Sequence, residues 1–149
     1  MNKIITLFVI VFVFLSTYTI TVQAQAPLRG INEYTTGELV EYHAEQYGAS
    51  SKILSRMIAC ESGGRQNVKG DGGNAHGTLQ IWKDTWKRFT KEMGEDLDIN
   101  SQSDQIKVGA WAITHGHGDE WTTYRAIMNG GSYTFYSSRE HRWITVHCK

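Results

Sequence analysis

From residue 35 onward, apolar side chains recur mostly at helical spacing. Thr35, with Glu38 three residues on, forms a capping box, and Leu39, Val40, His43, Ala44 and Tyr47 follow on one face until Gly48, placed to end the helix. Ser50 or Ser51 caps a second helix with Ile53, Leu54, Met57 and Ile58 on its less polar face, and Glu61 falls on the same stripe before Gly63-Gly64 stops it. A third helix is predicted from Asp84 or Thr85 to Gly94, with Trp82, Trp86, Phe89 and Met93 at one-turn intervals. Ser101 or Ser103 opens a fourth, carrying Ile106, Ala110, Trp111 and Ile113 before Gly116. Residues 119–128 make a fifth, ended by Gly130-Gly131, and the stretch from Tyr133 to Lys149 reads equally as strand or coil. Between the second and third helices, six of the fifteen glycines occupy fifteen positions, which predicts turns or a small hairpin. The expected fold class is therefore mainly α: about five helices with a small Gly-rich loop or hairpin.

The first 26 residues follow a different pattern. Lys3, the apolar run Ile4 to Leu15 and the small-residue site Ala24-Gln25-Ala26 match a secretory signal peptide, with cleavage expected after Ala26. An uncleaved anchor is the alternative, although Ser16, Thr17, Thr19 and Thr21 interrupt the apolar stretch short of a full span. Residues 27–149 then form one domain with no repeat, linker or low-complexity tract, and its only proline is Pro27. Across the whole chain 15 Lys and Arg balance 15 Asp and Glu, which removes the phosphate attraction on which nucleic-acid binders depend. Export also bears on Cys60 and Cys148. An even pair in an oxidising compartment reads as one disulfide stapling the C-terminus to the middle of the domain, the alternative being two unrelated buried thiols.

The candidate chemistry centres on Glu61, eight residues from Ile53 and four from Met57, on the face that its helix turns inward. Removal from water and the C-terminal end of the helix dipole both favour the neutral acid, so such a carboxyl holds its proton to higher pH than a solvated one. A protonated carboxyl is what cleavage of a glycosidic bond requires of its general acid. The alternative is a last-turn glutamate that fans out to solvent or pairs with Arg56 or Arg65.

The string Ile58-Ala59-Cys60-Glu61-Ser62-Gly63-Gly64, then Asn67-Val68, the run Gly70 to Ile81 containing Ala75-His76-Gly77-Thr78-Leu79-Gln80-Ile81, and Thr85-Trp86 resemble the soluble lytic transglycosylase domain, related to goose-type lysozyme. The matched core from Ile58 to Trp86 is about a fifth of the chain. The resemblance implies an α+β lysozyme-like fold acting on peptidoglycan, with Glu61 as sole catalytic acid/base, Ser62 supporting the site and Gln80 lining the sugar cleft. It further implies that Glu61 protonates the oxygen between N-acetylmuramic acid and N-acetylglucosamine, after which the muramyl C6 hydroxyl attacks to leave a 1,6-anhydro end. Asn129, in Ile127-Met128-Asn129-Gly130, matches an Ala-Tyr-Asn-Gly element of the family and is carried over as substrate-binding. Met128 stands there in place of the tyrosine, so the hydroxyl that this tyrosine directs at the glutamate is either missing or supplied by Tyr124 or Tyr133.

Hydrolysis is the competing chemistry. An inverting hydrolase needs a second carboxylate to activate water, and Asp71 in the Gly-rich loop or Asp84 after Trp82 is the candidate, Asp71 being the better placed, with an ordinary turn residue as its alternative. Of the tryptophans, Trp86 and Trp111 occupy core-like positions, whereas Trp82, beside the Gln80 segment, is expected at the cleft. His115, His117, His141 and His147 do not compose a ligand set at a recognised spacing, so no metal and no cofactor is implied. The expected partners are peptidoglycan glycan strands, with no nucleic acid, no stable membrane partner once the signal is removed, and a monomeric state. Three readings follow: a lytic transglycosylase, a hydrolysing muramidase of the same fold, and a non-catalytic glycan-binding or structural domain.

Overall fold

The computed structural model describes residues 34–148, so the expected signal segment and its cleavage point lie outside the described residues. Among the described residues, five α-helices and two small antiparallel sheets make a mainly α, α+β fold. Helix α1 (Thr36–Tyr47) has the reciprocal capping box of Thr35 and Glu38 and ends in left-handed Gly48. Helix α2 (Ser51–Glu61) is capped by the Ser50 side chain. The Gly-rich segment builds a three-stranded sheet from two-residue strands, β1 (Lys69–Gly70), β2 (Ala75–His76) and β3 (Ile81–Trp82), with a 3-10 turn at Asp71–Gly73. Helix α3 (Lys83–Met93) follows without a break, one or two residues earlier than the polar pattern predicts, because Trp82 itself takes the extended N-cap conformation.

Helix α4 (Gln102–Thr114), capped by Ser101, runs through the core with seven of its thirteen residues buried, and Ile106, Val108, Ala110 and Ala112 have no exposed surface. Gly109 admits its neighbours, since a Cβ there would stand 2.3 Å from Leu79 Cδ1. Leu54, Met57 and Phe89 close the same core, each burial contributing about 1.5–3 kcal/mol relative to exposure.

The expected fifth helix is divided. A 3-10 turn at Gly118–Glu120 precedes α5 (Thr122–Met128), because Trp121 adopts an extended backbone and drives its indole into the core, where Nε1 donates to the carbonyl of Leu79 at 2.9 Å. The tail is a hairpin of β4 (Ser132–Ser137) and β5 (Arg142–His147), in register from Ser132 opposite His147 to Ser137 opposite Arg142. Tyr133 and Val146 pack against the core. The hairpin's base is held by the Cys60–Cys148 disulfide and by Arg56 Nη2, which donates to the Cys148 carbonyl at 2.9 Å. Among the described residues, no helix is long and apolar enough to cross a membrane.

Candidate active site

Helix α2 delivers Glu61 as its last residue, and Ser62 fixes the exit of the chain. The buried Ser62 hydroxyl donates to the Thr78 carbonyl at 2.8 Å and accepts from the Gly64 amide at 3.1 Å, tying the end of α2 to the turn that leads into Gln80. Gly63 and Gly64 then turn the chain at positive φ, 64° and 81°. Ser62 does not line the cleft and acts from beneath it.

Gln80 is also in the left-handed region, at φ 49°, and its carboxamide folds back onto the Gly-rich loop. Its Nε2 donates to the carbonyls of Gly77 at 2.8 Å and Val68 at 3.2 Å. Gly70 makes room for this side chain, as a Cβ at that position would lie 2.2 Å from Gln80 Oε1. The loop therefore presents Gln80 in one orientation.

Glu61, Gln80, Ile81, Trp82, Thr85, Glu120, Trp121 and Thr122 line an open cleft of about 250 Å³. Trp82 is 49% exposed at its edge. Glu61 is half-buried, and its Oε1 accepts a hydrogen bond from Thr123 Oγ1 at 2.5 Å. Burial pushes the Glu61 carboxyl above the usual carboxylate range, and the hydrogen bond from Thr123 opposes that shift without reversing it. The two cations that a surface glutamate would find nearby are engaged elsewhere: Arg56 on the Cys148 carbonyl, and Arg65 Nε on the Ser62 carbonyl at 2.8 Å. Glu61 is thus the inward-facing acid of the two arrangements open to it. It can hold a proton, release it into the cleft, and exist as a carboxylate afterwards.

Two sequence candidates stand apart from this cleft. Asp71 pairs with Arg139 from the hairpin tip and is not among the residues that line the cleft. Asn129 caps the C-terminal end of α5, its Nδ2 donating to the Arg125 carbonyl at 2.7 Å in an exposed position. The adjacent Met128 is exposed too. The hydroxyl beside Glu61 comes neither from Tyr124, whose ring lies against Gly118, nor from Tyr133, whose hydroxyl accepts from Arg125 Nη1.

Thr123 and Glu120 are the residues that the sequence reading passed over. Thr123 lies on the α5 stripe with Ala126 and Ile127, three and four residues on, so a hydroxyl on an otherwise apolar inward face was the available signal. Glu120 sits on the rim, where it pairs with Arg88 and with His117 Nδ1 at 3.3 Å, while His117 Nε2 meets Glu92 at 3.2 Å. His117 also lies over Trp111 and beside Phe89, and His115 stacks on Trp111. Among the described residues, no group of three His, Cys, Asp or Glu is arranged to hold a metal ion.

No protein-family model and no curated protein sequence matches the chain. Among solved structures, an inactive mutant of the lytic transglycosylase Slt from Pseudomonas aeruginosa is similar to it, with a TM-score of 0.49 and 19% identity over 59% of this chain. The match spans 16% of that protein's length.

Proposed function

We propose that the chain is an exported peptidoglycan lytic transglycosylase, residues 27–149 acting as one lysozyme-like domain after removal of residues 1–26, with Glu61 as the only acid/base. The observation that carries this reading is the placement of Glu61: a half-buried carboxyl at the end of a helix, on the wall of an open cleft, touched by the Thr123 hydroxyl, with burial raising its pKa. In the first step Glu61 gives its proton to the glycosidic oxygen between N-acetylmuramic acid and N-acetylglucosamine, which turns a poor leaving group into an alcohol. Glu61 is then a carboxylate, and the Thr123 hydroxyl stabilises that charge. The muramyl C6 hydroxyl attacks the anomeric carbon and passes its proton to Glu61, which leaves a 1,6-anhydro end and restores the acid. A single carboxylate serves both steps. Gln80, held by its loop, and Trp82, at the cleft edge, are the groups assigned to the sugar rings.

Hydrolysis is the second reading, favoured by one observation: Glu120 lines the same cleft and is the only other carboxylate among its lining residues. Its engagement with Arg88 and His117 argues against its acting as a free base for water. A domain that binds glycan without cutting it is the third. The release of soluble fragments from purified sacculi separates them. The proposal expects release by the parent chain, loss on the order of a thousandfold or more in Glu61→Gln, and retention in Asp71→Asn and Glu120→Gln. Loss in Glu120→Gln as deep as in Glu61→Gln favours hydrolysis with two carboxylates, and no release from any of them leaves only binding.

A further inference from the structure

The terminal hairpin is fastened at both ends to segments that adjoin cleft residues. At its base Cys148 is bonded to Cys60, the residue before Glu61, and at its tip Arg139 pairs with Asp71, the neighbour of the Gly70 that faces the Gln80 carboxamide. Six-residue strands extend about 20 Å. The sheet therefore reaches from the end of α2 to the loop that presents Gln80.

Alternation along the strands sorts their side chains. Tyr133, Phe135, Ile144 and Val146 are half-buried, whereas Thr134, Tyr136, Trp143 and Thr145 are exposed on the opposite face. Tyr136 and Trp143 oppose one another in register, with ring centroids 5.6 Å apart and planes at 70°, and remain 52% and 70% exposed. On the next rung of that face the Thr134 and Thr145 hydroxyls are hydrogen-bonded at 2.9 Å. Rings this exposed add little buried area, and their contribution to folding is their contact with each other.

We infer that the Tyr136–Trp143 face is an auxiliary binding subsite for a β-1,4-linked strand of N-acetylated amino sugars, continuing the path of a polymer engaged at Glu61. The identity of that polymer rests on the proposed function. Aromatic rings accept the C–H faces of pyranose rings, and the neighbouring threonines exchange hydrogen bonds with sugar hydroxyl and acetamido groups, so rings followed by hydroxyls match a saccharide chain. A bilayer anchor needs a continuous apolar face, and this one turns polar one rung beyond the rings. Two rings also fall well short of the roughly 800 Å² per partner of a stable dimer.

The test uses the Glu61→Gln chain, so that cleavage does not disturb binding. Co-sedimentation with sacculi and with glycan strands stripped of peptide is compared between this chain and its Tyr136→Ala and Trp143→Ala derivatives, with unfolding midpoints checked for each. Affinity for both materials is expected to fall on the order of tenfold. In the same chain the Trp143 indole N–H resonance is expected to shift on titration with an N-acetylglucosamine tetramer, a readout that needs no hairpin variant. Equal binding by the derivatives, or an unmoved Trp143 resonance, overturns the subsite and leaves Glu61-dependent release by the parent chain as a separate result. Trp143-dependent binding in a protein whose parent releases no fragments upholds the subsite while the cleavage reading fails. Trp143-dependent retention on anionic phospholipid vesicles but not on glycan, or a Trp143-dependent dimer in ultracentrifugation, assigns the face elsewhere and overturns it.

Discussion

Thr123 and Glu61, 62 residues apart in the chain, meet through a hydrogen bond of 2.5 Å between the threonine hydroxyl and Glu61 Oε1. This contact joins the start of α5 to the end of α2 and is the one polar influence opposing the upward shift of the Glu61 carboxyl.

Thr123→Val keeps the shape and removes the donor. The Glu61 titration, followed by carboxyl carbon NMR, should move further up, because the charged form loses its hydrogen bond. Turnover of sacculi should fall on the order of tenfold, with the alkaline limb of the pH profile, which requires the protonated acid, displaced to higher pH. An unchanged titration would show that the hydroxyl does not act on this charge.

Glu61→Gln should be inactive yet more stable than the parent above neutrality. The folded carboxyl titrates above its unfolded value of 4.5, so the stability supplied by its neutral form is complete below 4.5 and is lost as pH rises through the folded value. The amide carries no such loss. Thermal unfolding should therefore show a midpoint a few degrees higher for the variant at pH 8 and equal midpoints at pH 4.

His43 imposes a second dependence at the other end of the scale. It is 5% exposed, its Nε2 meets Ser103 Oγ at 2.9 Å, and its Nδ1 has no partner among the described residues. Burial, aided by Lys107 and opposed by Asp104 and Glu95, lowers its pKa to about 4 from 6.5. Between those values the unfolded chain binds the extra proton, so stability is full above 6.5 and falls as pH drops toward 4, by up to about 3 kcal/mol. Urea unfolding at pH 7 and pH 4.5 should show that loss in the parent and a smaller one in His43→Asn.

The Cys60–Cys148 bond closes a loop across 88 positions and clamps the hairpin base next to Glu61. Replacing both cysteines with serine should cost about 2–5 kcal/mol in urea unfolding. Activity should fall even at temperatures where the variant stays folded, because the residue before Glu61 loses its tether.

Local signals in the sequence specify the helices well. The Thr35–Glu38 box, the Ser50 and Ser101 caps and the Gly48 and Gly94 stops all act within one turn of chain, and each bounds a helix at or within a residue or two of its end. The inward stripe of α2 likewise carries Glu61 into partial burial through spacing alone. What escapes is long-range. The tail reads ambiguously because aromatic residues occupy both faces of the hairpin, Tyr133 and Phe135 on one and Tyr136 and Trp143 on the other, which blurs the period of two. Trp121 breaks a helical pattern because of a carbonyl 42 residues away. Asp71 is engaged by Arg139, which lies 68 residues on and which no local pattern connects with it.

Product analysis bears most directly on Glu61 as a lone acid/base. Sacculi digested with the chain of residues 27–149 are examined by mass spectrometry of the released glycan ends, beside a Glu61→Gln digest. The account predicts 1,6-anhydromuramyl ends from the parent and none from the variant. Reducing ends in their place, or the same products from Glu61→Gln, would contradict it.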